Sequence, residues 1–308
     1  MLLMYIGVDI GGMSIKAGVV DDDGKIVAKC AVPTPCNDEN AFCEAMLDCI
    51  NEAIKKANVN KDEITSIGIG SPSAVERENG VLLRAENIGY ERIEARSFLQ
   101  EKLGNIPVFV DNDANCAALG EYYKSKKSDS FIFITLGTGI GGGIILGGKL
   151  FLGSNGAAGE LGHIVTRAGG RLCNCGREGC WEKYGSVTGL IQTTTEHKNE
   201  IKSLPEGDRI SGRTAFDLAR KGDEGAIRVR DMWIEDVAIG IVDIINIFQP
   251  NEIVIGGAIS AEGDTLINPI REYAMGHAFC ADTIGIPEIS ASVIGGDAGI
   301  IGAAFLGK

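Results

Sequence analysis

The sequence predicts an α/β fold built from two halves of similar design, and three observations point to it. Residues 5–29, YIGVDIGGMSIKAGVVDDDGKIVAK, give strand, glycine turn, strand, Asp-Gly turn, strand. Residues 131–152, FIFITLGTGIGGGIILGGKLFL, repeat that plan with a Gly-Gly second turn. Helical stretches follow each of these β-meanders, which is the alternation expected of an α/β chain. The repeat breaks near residues 114–130. It suggests a smaller N-terminal domain over residues 1–113, completed by the C-terminal helix 297–308, and a larger domain over 114–296.

Taken in order, MLLMYIGVDIGG reads as a first buried strand. It lacks a basic leading region and meets Asp9 too early to be a signal peptide. A helix is expected over residues 39–57. The segment IPVFVDNDANCAALGEY is an apolar strand that runs into a helix at 113–124, with apolar spacing through Ala114, Ala117, Ala118 and Tyr122. Over 224–248, Met232, Val237, Ile241, Ile244, Ile245 and Phe248 form one apolar face, and Pro250 ends the helix. EIVIGGA is a short apolar strand. The final GDAGIIGAAFLG is a small-residue helix able to pack closely against another backbone.

Composition narrows the function. The 29 basic and 42 acidic residues give a formal charge of −13, which repels nucleic-acid backbones and anionic membranes, so neither is an expected partner. No apolar run approaches the roughly 20 residues of a membrane helix. Nine cysteines without a signal sequence point to a reducing cytoplasm. Cys30, Cys36, Cys43, Cys49, Cys116 and Cys280 have no motif spacing and read as small apolar side chains.

The other three cysteines lie in ELGHIVTRAGGRLCNCGREGCWE, residues 160–182. His163, Cys173, Cys175 and Cys180 form a His-x9-Cys-x-Cys-x4-Cys array, a ligand set suited to a closed tetrahedral Zn²⁺. The bland alternative is buried cysteines beside a surface histidine. A closed zinc site does no chemistry, so its expected role is to fix the carboxylates at its two ends, Glu160 and Glu182.

Gly137, Gly139 and Gly142 fit the G-x-G-x-x-G spacing, but the following residues continue as a β-ribbon where a dinucleotide site needs a helix. A Walker reading of Gly143 to Lys149 fails at Leu150, where the magnesium-binding hydroxyl belongs. What remains is a pair of hairpins, DIGGMSIK at 9–16 and TLGTGIGGG at 135–143, whose bare N–H groups can grip phosphate oxygens. In the first, Gly11, Gly12, Met13, Ser14 and Lys16 face the ligand, and Asp9 is placed to hold a hydrated Mg²⁺. In the second the contacts are Gly137, Thr138 and Gly139, with Thr135 beside them. Either hairpin alone is also an ordinary tight turn. Gly256 and Gly257 form a third bare backbone surface against which an adenine ring can lie.

Asp111, Asn112 and Asp113 end an apolar strand and begin a helix. Asp113 or Asn112 is a helix cap on one reading. On the other, Asp113 is a general base for phosphoryl transfer to a hydroxyl, a reaction that needs positioning and a proton acceptor. Asn112 both donates and accepts, which suits a sugar hydroxyl. Asp111 is expected to be dispensable.

The set DIGGMSIK, DNDANCAALGE, TLGTGIGGG, ELGH, CNCGREGCWE and IVIGGA resembles the ROK sugar kinases, close to the glucokinase branch of Gram-positive bacteria. The match runs from about residue 5 to 305 in the family's order. The resemblance implies an actin/hexokinase-like fold, two α/β domains of the ribonuclease-H type with an interdomain cleft. It implies ATP-dependent phosphorylation of a hexose at the 6-hydroxyl, glucose being the expected substrate, with Mg²⁺ and structural Zn²⁺. By position, Asp113 corresponds to the catalytic base, and Asn112, Glu160, His163 and Glu182 to sugar contacts, His163 also ligating zinc. The glycine hairpins correspond to the phosphate loops and Gly256-Gly257 to the adenosine loop. The family tendency and the long helix at 224–248 suggest a homodimer.

Three positions depart from the family pattern: Met13 replaces Thr, Pro72-Ser73 replaces Pro-Gly, and Glu86-Asn87 replaces Pro-Asn. A kinase for N-acetylmannosamine, allose or fructose is the nearest alternative. A sugar-responsive repressor would need a basic helix-turn-helix ahead of the sugar domain, for which DIGG at residue 9 leaves no room. A non-catalytic sugar-binding protein would leave Asp113 and both hairpins unexplained.

Overall fold

The computed structural model describes residues 3–85, 88–125, 128–205, 207 and 209–308. The chain forms two compact units, one of Met1–Asp129, Gly143–Ala157 and Gly296–Lys308, the other of Ser130–Gly142 and Ala158–Gly295.

The first unit opens with the expected meander, β1 (Met4–Ile10), β2 (Ser14–Asp21) and β3 (Ile26–Pro33), followed by α1 (Glu39–Ala57) and β4 (Ile64–Ser71). A small sheet of β5 (Val75–Glu76), β6 (Val81–Ala85) and β7 (Tyr90–Ile93) precedes α2 (Ala95–Leu103), β8 (Val108–Asn112) and α3 (Asp113–Ser125). The main sheet has the order β3-β2-β1-β4-β8. β1 runs antiparallel to β2 and parallel to β4, and β8 is parallel to β4. β3 alternates between half-buried and exposed residues, as an edge strand does, whereas β4 is buried almost throughout because both of its faces are covered.

Helix α1 covers one face. Its buried Phe42, Met46, Cys49, Ile50 and Ala53 follow helical spacing and meet Ile6, Val8, Ile10, Ile67 and Ile69 of the sheet. Asp38 caps it by accepting from the Ala41 amide at 3.0 Å, and Asn58 closes it in the left-handed region. The alternation of strand side chains turns the paired Gly7 and Gly68 to the other face. A Cβ at Gly7 would stand 1.8 Å from the Ile300 oxygen, and one at Gly68 1.7 Å from the Ala303 oxygen. That absence of side chains is what lets the C-terminal helix Ala298–Ala304 lie directly on the sheet. The same helix packs backbone to backbone on α3 at Gly120 and Gly302. The division differs there from the one expected after residue 113, because this contact gathers α3 into the first unit.

The second meander is β9 (Ser130–Leu136), β10 (Ile140–Leu146) and β11 (Lys149–Leu150). β10 begins in the second unit and runs on into the first. Then come α4 (Glu182–Gly185), α5 (Val187–Glu196), α6 (Thr214–Arg220), α7 (Glu224–Phe248), β12 (Glu252–Gly256), α8 (Asp264–His277), α9 (Ala281–Ile284), β13 (Glu288–Ala291) and the C-terminal α10 (Ala298–Ala304). The sheet order β11-β10-β9-β12-β13 repeats that of the first sheet, with β12 parallel to β9 and β13. The sequence repeat is therefore a repeat of topology.

On α7 the expected Val237, Ile241, Ile244 and Ile245 are buried, but Met232 is 38% exposed, so the apolar face is not wholly covered within the chain. Among the described residues no helix is long and apolar enough to cross a membrane.

Candidate active site

Strand register brings together the candidate residues of the first unit. Asp9 on β1 pairs with Gly70 on β4, which pairs with Asp111 on β8, so the carboxyl ends of three parallel strands lie side by side. Ligands of open α/β sheets gather at such strand ends. Lys16, opposite Asp9 on β2, donates to its carboxylate at 3.1 Å. Between these strands the Gly11 amide donates to the Ser14 oxygen, while Thr34 donates to the oxygens of Gly11 (2.6 Å, hydroxyl) and Met13 (3.2 Å, amide). With those carbonyls engaged, the exposed Gly12 and Met13 present amide donors, a polarity suited to an anion. Thr34 lies outside the residues singled out in the sequence, because nothing near it marks it as the anchor of a distant turn.

At the end of β8, Asn112 and Asp113 are half-buried, and the side-chain oxygens of both accept from the Ala114 amide, at 2.9 and 2.8 Å. Asp111 turns inward and is buried. Its carboxylate accepts two hydrogen bonds from Arg77, at 2.6 and 2.8 Å, one from Asn115 at 2.8 Å, and one from the Asn112 amide at 2.7 Å. The expectation that Asp111 is dispensable concerns activity; structurally, removing its charge would leave Arg77 without its ion-pair partner. Burial pushes the Cys116 thiol far above its usual range, and the nearby charges of Asp111, Asp113 and Asp9 push it further. Cys116 is a packing residue at the hub of those three carboxylates.

In the second unit, Gly137, Thr138 and Gly139 form the turn between β9 and β10. The Gly137 oxygen accepts from the Val187 amide at 2.9 Å, which ties the turn to α5. Glu182 accepts from the Ile140 amide at 3.1 Å, and its Oε2 would stand 2.1 Å from a Cβ on Gly139. Only glycine leaves room for that approach. The register of β12 on β9 sets Gly256 against Thr135, so Gly256 ends the strand adjoining the turn and Gly257 follows it. A cavity of about 210 Å³ opens beside these residues, lined in part by Thr138, Gly139, Glu182, Lys183, Thr188 and Gln192. Lys183, Thr188 and Gln192 were not legible as site residues, since their helices carry no recognisable motif.

The zinc-type loop is a compact knuckle. The Cys173 amide donates to the Arg177 oxygen and the Gly176 amide to the Cys173 oxygen, at 2.8 and 2.9 Å, which folds the two nearest cysteines back on each other. The four ligand atoms of His163, Cys173, Cys175 and Cys180 lie within 4.8 Å of one another. Cys173 Sγ is 3.6 Å from His163 Nδ1, and Cys175 Sγ is 3.5 Å from Cys180 Sγ. Bonds of about 2.0–2.3 Å in a tetrahedron separate ligands by about 3.3–3.8 Å, so the set fits Zn²⁺. Nδ1 is turned to the thiols, which leaves Nε2 on the far side of the ring.

The loop is bound to its surroundings by two arginines. Arg171 donates to the Lys183 oxygen at 2.8 Å and to Thr193 at 3.0 Å, and its amide donates to the Tyr184 hydroxyl. Arg167 pairs with the buried Asp236, and both guanidinium groups stack on the Tyr184 ring. Trp181, wholly buried, donates to the Asp236 oxygen at 2.9 Å. Glu182 is thus the first residue after a fixed plug. At the other end of the loop Glu160 is exposed, and its backbone oxygen accepts from the His163 amide at 3.1 Å.

The comparisons with known proteins agree with this geometry. The model of the ROK family matches residues 5–308. The chain belongs to the ROK family. A glucokinase from Halalkalibacterium halodurans is 36% identical over 314 residues, covering 99% of this chain and 94% of its own. The crystal structure of a ROK family glucokinase from Streptomyces griseus in complex with glucose and AMPPNP superposes with a TM-score of 0.82 at 34% identity, covering 98% of both chains. A xylose repressor from Caldicellulosiruptor bescii is 32% identical across 90% of this chain and 71% of its own length. The fold is actin/hexokinase-like, each sheet having the ribonuclease-H-type order.

Two of the three departures from the ROK pattern acquire a physical meaning. Ser73 is buried, and its hydroxyl bonds to Ser71 at 2.9 Å and Tyr90 at 3.2 Å. Its side chain faces the protein interior. Met13 is 90% exposed at the tip of the first turn, where its backbone amide is the same as that of any residue. Glu86-Asn87 lies outside the described residues. Of the six other cysteines, Cys49 and Cys116 are buried and Cys30 and Cys43 half-buried, whereas Cys36 and Cys280 are exposed, against expectation. Cys280 sits in a left-handed turn ahead of α9, where the backbone conformation, not burial, sets its place.

Proposed function

We propose that the chain is an ATP-dependent hexose kinase that phosphorylates the 6-hydroxyl, with glucose as the preferred acceptor. One observation carries this: a turn with bare amides joins the first two strands of both like-ordered sheets, so each unit presents a turn of the kind that grips a phosphate. Gly12 and Met13 donate from one turn, with Lys16 adjacent, and Thr138 and Gly139 from the other. The cavity lined by Thr138, Lys183 and Thr188 offers a cation and hydroxyls to the rest of the nucleotide, and Gly256-Gly257 a flat surface to the base. Asp9 supplies a strand-end carboxylate suited to Mg²⁺, which neutralises phosphate charge when bound. Asn112, Glu160, Glu182 and His163 Nε2 hold the sugar hydroxyls, and the zinc ligands keep the two glutamates' loop in one shape.

Asp113 accepts the proton of the 6-hydroxyl. The hydroxyl oxygen then bonds to the γ-phosphorus as the bond to the ADP oxygen breaks. Asp113→Asn keeps the shape and removes the base, so kcat is expected to fall by at least about a hundredfold. An Asp113→Asn enzyme with normal turnover would remove the base assignment.

The exposed apolar residues of α7 support a homodimer. Ile247 is 66% exposed, and Phe279, 80% exposed, is held beside α7 by its amide donating to Asn246 at 2.9 Å. A monomer mass in sedimentation at micromolar concentration would exclude it. The cysteines, free throughout the described residues, fit a cytoplasmic protein.

A further inference from the structure

Arg77, on the turn between β5 and β6, touches three parts of the first unit at once. Its Nε and Nη2 bond both oxygens of Asp111, at 2.8 and 2.6 Å, and its Nη1 donates to the Gly156 oxygen at 3.1 Å. Its own backbone is held in turn, the Arg77 oxygen accepting from Arg96, which also donates to the Val108 oxygen on β8. Both oxygens of the buried Asp111 are engaged, Oδ1 by three donors and Oδ2 by one. It grips the Asn112 amide and, one helical turn on, the Asn115 side chain. Those two bonds fix the strand-to-helix turn that presents Asn112 and Asp113.

The contact with Gly156 has a different consequence. Residues 153–158 read GSNGAA, and Gly153 and Gly156 have φ of 70° and 80°, so the segment has little stiffness of its own. Among the described residues, the Arg77 bond is the one hydrogen bond from 153–158 to another element. Glu160 follows two residues later. Charge neutralisation of Asp111 alone would need a cation but not a third contact. A guanidinium fork, with donors on three nitrogens, meets all three acceptors where an ammonium meets one or two.

We propose that Arg77 is a positioning residue for the acceptor sugar, setting Asn112 and Asp113 through Asp111 and the approach to Glu160 through Gly156. This rests on the assignment of those residues to the hexose and its hydroxyl. The hydrogen bond to Asp111 also holds the Arg77 charge more firmly than usual, which agrees with a permanent fork at this place.

The test compares Arg77→Met, Arg77→Lys, Gly156→Ala and the double variant Arg77→Met/Asp111→Asn with the unaltered enzyme. Misplacing reacting groups by about an ångström costs up to about a hundredfold, so kcat is expected to fall and the hexose KM to rise by roughly tenfold or more each. The KM for ATP should stay within about twofold, since the fork touches none of the phosphate turns. Arg77→Lys should recover only part of the loss. Arg77→Met alone leaves a buried carboxylate unpaired and can fail to fold, which is why the double variant removes both charges. Gly156→Ala keeps both charges and drives a Cβ to 2.3 Å from Arg77 Nη1. Melting temperatures that fall while kcat and hexose KM stay normal would mean a structural role only, and the proposal would fail. Asp113→Asn, measured alongside, separates the two ideas. If it keeps its turnover, the base assignment falls while the hexose KM still judges Arg77; if it loses turnover while the Arg77 and Gly156 variants are normal, only Arg77 is wrong.

Discussion

Asp113 and Asn112 both accept from the Ala114 amide, so either one can cap α3, and this decides how substitutions there are to be interpreted. Asparagine caps about as well as aspartate. Asp113→Asn is therefore expected to keep its melting temperature while turnover drops, and a parallel fall in both would return Asp113 to a purely structural role. At this scale the sequence showed which residue types were present but not which way they point. DND displays three polar side chains in a row, yet only the end of β8 at Asn112 sends Asp111 inward and leaves the next two half-buried. Arg77 was invisible for a related reason: its partner is 34 residues away and its second acceptor is a backbone oxygen at Gly156. Ser73 was legible as a departure, but its inward hydrogen bonds to Ser71 and Tyr90 depend on a tertiary contact that no local pattern encodes.

Among the elements, those with strong periodicity or punctuation emerged at their expected places. α1 and α7 span Glu39–Ala57 and Glu224–Phe248 because apolar stripes and end signals agree. The sheet of β5, β6 and β7 did not, its strands being two to five residues long with mixed polarity. The zinc-type loop was the most legible element, since its ligand spacing is covalent information. It is expected to carry about one zinc per chain with no open coordination position. Cys175→Ser should loosen the knuckle, displace Glu160 and Glu182, and raise the KM for hexose more than that for ATP. Metal analysis that finds active protein without zinc would refute the element's proposed role. Burial pushes the Cys43 thiol up to about 11 and the Cys49 thiol up to about 12, so neither competes as a thiolate ligand.

For the molecule as a whole, the duplicated strand order explains why one motif occurs twice: each sheet delivers a glycine turn at the same topological position. The formal charge of −13 keeps the surface unsuited to nucleic acid, in keeping with a small-molecule enzyme. Family membership leaves the choice of sugar as the central question, and the site bears on it directly. If Asn112, Glu160 and Glu182 hold ring hydroxyls as proposed, each bond involving a charged group is worth about 1.5–3 kcal/mol. Misplacing one hydroxyl should cost about tenfold or more in kcat/KM. The most direct measurement is coupled ADP release, with kcat/KM determined for glucose, allose, fructose and N-acetylmannosamine. Glucose should be turned over at least about tenfold more efficiently than the others; a higher kcat/KM for N-acetylmannosamine or fructose would contradict the glucose assignment, and no hexose-dependent ADP release at all would contradict the kinase itself.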